Sequence, residues 1–170
     1  MPDPVYLTLR IPFIILISIF VYSRTSVSIM RSVVLGNLRP SVATLLIFAA
    51  ITISLRCIVY YLFPFQGDLF NMSYIFLDVF IPSLNEEILF RSIFIGILVY
   101  NVKLGRLSSV VLSALIFAAC HNGLNNGVFL LSLFLTGIIY GLAFTSVSGG
   151  IITAIVCHFL WNIFPIFVPL

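Results

Sequence analysis

The chain has 170 residues, enough for one domain, and apolar residues make up 62% of it against 8% charged; ordinary globular proteins hold roughly 45–50% and 25%. Five acids and eight bases leave a formal charge of +3, and the mean hydropathy is +1.26. These values exclude a water-soluble globular enzyme, a disordered segment and a nucleic-acid binder, since eight scattered bases make no basic stripe. What remains is an integral, multi-pass membrane protein, read as a single transmembrane helical domain over residues 1–170.

A bilayer core takes about 20 apolar residues of helix, with every backbone group paired inside the segment. The alternation of a membrane β-barrel is absent, so the expected class is all-α: a helix bundle of about seven helices, or six if the segment near Pro82 is re-entrant. The first span is Val5 to Ser23; with no small-x-small site before Arg24, it reads as a span and not a secretory leader. Arg24, Arg31 and Arg39 then form a basic connection. Ser41 to Phe63 is the second span, closed by Pro64 and the turn-like Gln66-Gly67-Asp68. Leu69 to Val102 is long for one crossing: its 34 residues would extend about 51 Å as helix, against about 30 Å of hydrocarbon. The residue before a proline is biased away from helix. The expectation is therefore a short helix to about Phe80, a break at Pro82-Ser83, and a longer helix from about Leu84 to Tyr100. Leu107 to about His121, Gly127 to Ser146 and Gly150 to Phe167 complete the set, with Ser148-Gly149-Gly150 as a tight turn before the last.

Two loops are basic, one with Arg24, Arg31 and Arg39, the other with Lys103 and Arg106. The positive-inside tendency places both in the cytoplasm only if Leu69 to Val102 crosses once, which conflicts with two separate helices there. Cys57, Cys120 and Cys157, an odd number set in apolar runs, read as small core residues and not as a disulfide framework.

Beyond Arg106 the chain holds no Asp, Glu, Lys or Arg, and its two histidines, His121 and His158, both lie there. Glu86, Glu87 and Arg91 interrupt the apolar helix that follows Pro82. A charge at the bilayer centre costs about 2.5–3.5 kcal/mol on insertion scales, so three within six residues call for a function. Glu87 and Arg91 are i,i+4 and share a face; Glu86 is turned about 100° away, toward a polar cavity. His158 and Asn162 are i,i+4 in the last helix, and Phe117 and His121 in the fifth span, so an aromatic ring walls one imidazole.

A carboxylate and an imidazole from different helices can hold a water and take its proton. A second imidazole and an amide N–H can donate to the oxyanion formed at an attacked carbonyl. Two His and one Glu also satisfy a catalytic zinc, although no H-E-x-x-H places them on one helix. Each feature has a plain structural counterpart: an interfacial ion pair for Glu-Glu-x-x-x-Arg, an interhelical hydrogen bond for a membrane histidine. Arg56 and Asp78 are partners of each other, or Arg56 snorkels to the headgroups. Cys120 and Cys157 precede the two histidines, but adjacent helical residues diverge too far to converge on one ion.

In order along the chain, Glu86-Glu87-Ile88-Leu89-Phe90-Arg91, Phe117-Ala118-Ala119-Cys120-His121 and His158-Phe159-Leu160-Trp161-Asn162 resemble the motifs of the CPBP family. These are the CAAX-protease and bacteriocin-processing (Abi) intramembrane proteases. The likeness covers about residues 82–165, the CPBP-like catalytic core, and leaves residues 1–68 as variable N-terminal helices. The resemblance implies a membrane-embedded endopeptidase of the CAAX prenyl type. Glu86 and His121 would activate water, His158 and Asn162 would stabilise the oxyanion, and Glu87, Arg91 and Phe117 would support the site. It implies no cofactor in the preferred, metal-free version; a divalent metal such as zinc, on Glu86, His121 and His158, is the alternative. Its partners would be membrane lipid and a peptide or protein substrate, prenylated or membrane-anchored, with no nucleic acid. Ser92 departs from the glycine that many members carry after the arginine. Two other classes compete: a small transporter or proton relay using the same Glu/His set, which would string it across the bilayer depth, and a non-catalytic immunity or interaction protein.

Overall fold

The computed structural model describes residues 38–62, 79–121 and 127–167. Among them are five α-helices and no strand: α1 Val42–Leu62, α2 Ile81–Glu87, α3 Arg106–Ala119, α4 Gly127–Thr145 and α5 Ile151–Phe167. α2 runs on without interruption into π-helical turns at Ile88–Ile95 and Ile97–Asn101. The expected all-α class is found, and α1 and α4 are long and apolar enough to span a membrane, while α3 is a shorter apolar helix. The expected span Val5 to Ser23 and the stretch from Leu69 to Asp78 lie outside the described residues.

The break expected at Pro82-Ser83 is absent. Phe80 already has helical angles (φ −71°, ψ −48°), and Pro82 sits in the first turn of α2, where a missing N–H costs little. One turn back, the Val79 carbonyl accepts from the Ser83 hydroxyl at 2.7 Å. Val79 to Asn101 is thus one helical rod, widened over most of its length by i→i+5 turns. Its end turns sharply through Lys103, at φ 63°, with the Leu104 amide bonded to the Leu98 carbonyl at 2.9 Å.

Cross-helix contacts fix the directions. Glycines open the α3–α4 seam: a Cβ on Gly137 would stand 3.0 Å from the Ala114 Cβ, and one on Gly141 2.7 Å from a Val110 methyl. That antiparallel small-x-x-x-small contact lets the backbones close up where lipid supplies no hydrophobic drive. α5 leaves α4 through Ser148-Gly149-Gly150, with Gly150 at φ 124° and no room for a Cβ on Gly149 against the Ala143 carbonyl. α1 starts beside this turn, its Ser41 amide bonded to the Ser148 carbonyl at 2.8 Å, and runs parallel to α5. Phe48, Leu55 and Val59 of α1 pack on a core of Tyr140, Ala154, Cys157 and Trp161.

None of the three cysteines is in a disulfide, but only Cys157 is a core residue; Cys57 and Cys120 are exposed. The apolar run that suggested burial is, for Cys57, the outward face of α1, which a membrane helix can leave as apolar as its inner face.

Candidate active site

Glu86 and Glu87 close α2, and both are buried. The i,i+4 spacing of Glu87 and Arg91 closes into an ion pair, Oε2 to Nε 3.1 Å, with both side chains fully buried. The other oxygen of Glu87 reaches across to α5 and accepts from His158 Nδ1 at 2.9 Å. One carboxylate therefore neutralises a buried guanidinium and orients an imidazole. Arg91 extends to α3, where Nη1 donates to the Ser113 hydroxyl at 3.4 Å and that hydroxyl donates to the Phe90 carbonyl at 2.9 Å.

His121 lies just past the C-terminus of α3, where helix carbonyls lack intrahelical donors. Its Nδ1 meets the Phe117 carbonyl at 2.8 Å. A carbonyl only accepts, so Nδ1 carries the proton, and in the neutral ring Nε2 presents a lone pair. That Nε2 stands 3.9 Å from Glu86 Oε2. On the other side, His158 Nε2 stands 3.8 Å from the same oxygen. Both separations exceed a direct hydrogen bond and match a gap that a shared water bridges, at about 2.8 Å from each atom.

Aromatic rings hold the imidazoles. Phe117 packs on His121 at 4.8 Å and edge-on to His158 at 5.9 Å. Tyr140 stacks on His158 at 5.1 Å, 18° from parallel. Arg91 Cζ lies 5.0 Å over Phe117 and 5.7 Å over Tyr140. Asn162, one turn beyond His158, donates to the Ser83 hydroxyl at 3.1 Å; its second N–H remains for another acceptor.

Three helices thus bring Glu86, His121 and His158 together, with Asn162 a turn away on the face of α5 that meets α2. Ser83, Ser113 and Tyr140 also belong to the arrangement, and the sequence reading missed them. For Ser113 there was a signal: with Phe117 and His121 it forms an i, i+4, i+8 row on α3. Ser83 stands i,i+4 to Glu87 in the same way. Nothing marks Tyr140 among the other aromatics of α4.

The donor types are those that hold a catalytic zinc. Around a tetrahedral zinc with bonds of about 2.0–2.1 Å, ligand atoms stand roughly 3.3–3.4 Å apart. Here the separations are 3.9 and 3.8 Å. Among the described residues no group of three or more His, Cys, Asp or Glu side chains closes around a metal position.

Residues 68–164, more than half of the chain, match the model of the type II CAAX prenyl endopeptidase Rce1-like family. The chain belongs to that family. It is a family of membrane-embedded proteases, in keeping with the CPBP and CAAX-protease grouping that the three motifs resemble. The match takes in α2, α3, α4 and most of α5, and with them every side chain of the Glu/His cluster; α1 stands outside it. No curated protein and no solved structure matches the chain.

Proposed function

We propose that the protein is a multi-pass intramembrane endopeptidase of the CAAX prenyl type, hydrolysing a peptide bond with water and no metal. The observation that carries this reading is the Glu86 oxygen facing two imidazole Nε2 atoms, from separate helices, at 3.9 and 3.8 Å. A proton relay needs such groups spread along the bilayer normal, whereas hydrolysis needs them around one water.

Glu86 and His121 take one proton from that water as its oxygen bonds to the substrate carbonyl carbon. The neutral, Nδ1-protonated His121 has its lone pair on the correct nitrogen for this role. Negative charge builds on the carbonyl oxygen, where His158 and the second N–H of Asn162 donate. With Nδ1 held by the Glu87 carboxylate, His158 donates from Nε2 as the imidazolium. Collapse of the tetrahedral intermediate breaks the C–N bond, and the proton returns to the leaving amine. Apolar walls strengthen each of these interactions relative to water.

The test is cleavage of a prenylated, membrane-anchored peptide by the full chain in proteoliposomes, followed by mass spectrometry. Glu86→Gln and His121→Ala each abolish product while leaving insertion and thermal stability near those of the parent. Full turnover in both variants refutes the water-activating role. A strong chelator leaves the rate unchanged; inhibition by chelator that zinc reverses overturns the metal-free version.

A further inference from the structure

Arg56 lies in the apolar helix α1, outside the residues that match the family, and the chemistry above does not use it. Its Cζ sits 4.9 Å from the centroid of the Trp161 ring, and its Nε is buried with no hydrogen-bond partner among the described residues. A ring beneath a guanidinium uses none of its five N–H donors. The carboxylates of Glu86 and Glu87 are turned to His121, His158 and Arg91. The remaining acids, Asp3, Asp68 and Asp78, fall outside the described residues.

The parallel start of α1 and α5 sets the depth. Arg56 is 15 residues past Ser41, and Asn162 is 14 past Ser148, the two positions joined at the helix starts. The contacts of Arg56 with Trp161 and of Tyr60 with Phe164, the two rings 6.0 Å apart, hold the helices in that register. Arg56 is therefore level with Asn162, and some six residues, about 9 Å, short of the end of α1. Its packing directs the head toward α5, where snorkelling would direct it along α1 to the headgroups. Intramembrane arginines are kept where they have a ligand or a partner, and the planar fork suits the two oxygens of a carboxylate or phosphate.

We propose that Arg56, seated on Trp161, is an oxyanion-binding site that takes one carboxylate or phosphate group at the depth of the Glu/His cluster. A peptide held for hydrolysis brings such a group as its C-terminal carboxylate, a part of the inference that rests on the hydrolase reading; a lipid brings it as its phosphate.

Trp161 is the chain's one tryptophan, so its emission reports on the cation above it. The full chain in phosphatidylcholine nanodiscs is titrated with a short, tryptophan-free apolar peptide carrying a free C-terminal carboxylate, and with the same peptide amidated. In parallel, phosphatidylglycerol replaces part of the lipid. The expected result is a saturable emission change with the free carboxylate, weakened roughly 10- to 100-fold by amidation or by Arg56→Gln, and retained at reduced affinity in Arg56→Lys. A change that follows phosphatidylglycerol alone, and is lost in Arg56→Gln, assigns the same site to a lipid headgroup. No saturable change with either probe, or one that survives both Arg56→Gln and amidation, overturns the proposal. The amidated probe on the parent protein decides the peptide arm even if a variant fails to fold. Glu86→Gln, inactive on the hydrolase reading, retains the titration, so the two proposals fail separately.

Discussion

Glu87 divides its carboxylate between two partners, Arg91 on its own helix at 3.1 Å and His158 on α5 at 2.9 Å. Glu87→Gln keeps the volume but supplies one oxygen where two are used, and leaves a fully buried guanidinium without a counter-charge. Breaking one side of a buried pair costs about 3–5 kcal/mol. The variant is expected to unfold at clearly lower temperature in detergent, and to lose most activity through a loosened His158. A variant as stable and as active as the parent would show that the bifurcated contact is idle. At this scale much of the cluster is legible in the sequence, because charge is so scarce that every Glu, Arg and His stands out. For Ser83 and Ser113 the sequence shows the helical spacing but not the partners, since serine is common in apolar helices and only the crossing of the Val79–Asn101 rod with α5 and α3 supplies them. For the same reason the sequence shows that Glu87 meets Arg91 but not that it meets His158.

The spacing of α3 and α4 is set by two glycines. Gly141→Ala forces a methyl group toward Val110, where the Cβ would sit 2.7 Å from Cγ1. Overpacking of this kind costs about 1–3 kcal/mol. Separation of α3 from α4 carries Phe117 and His121 away from Glu86, so activity should fall with stability. The companion change Val110→Ala, which removes the clashing methyls, should restore both; a double variant no better than Gly141→Ala would rule out this seam as the cause. Helix extents read directly from hydropathy: Ser41 to Phe63 against Val42–Leu62, and Gly127 to Ser146 against Gly127–Thr145. The rod through Pro82 does not, for two reasons. A proline in a first helical turn carries the same letters as one that ends a helix, and π-helical turns leave no compositional mark. The glycine pair is an i,i+4 pattern in plain view, but it acquires meaning only once Val110 and Ala114 lie opposite.

The continuous rod bears on the charge pattern: from Val79 to Asn101 the chain makes one helix, where a break at Pro82 would make two. The contacts agree. Glu86 faces His121 and Arg91 faces Ser113, so the Val79–Asn101 rod and α3 are antiparallel. Val110 and Ala114 face Gly141 and Gly137, so α3 and α4 are as well, and Ser41 ties α1 to the start of α5. Arg39, Lys103 and Arg106 therefore share one end of the bundle, and Leu62 marks the other. The proposed multi-pass topology turns this into a labelling pattern. In a background with Cys57, Cys120 and Cys157 changed to serine, single cysteines at the exposed positions Arg39, Lys103 and Leu62 are offered an impermeant thiol reagent on sealed vesicles. Arg39→Cys and Lys103→Cys should react from the same side, and Leu62→Cys from the opposite one. Reaction of Arg39→Cys and Lys103→Cys from different sides would set α1 antiparallel to α5, against the Ser41–Ser148 contact, and overturn this arrangement of the bundle.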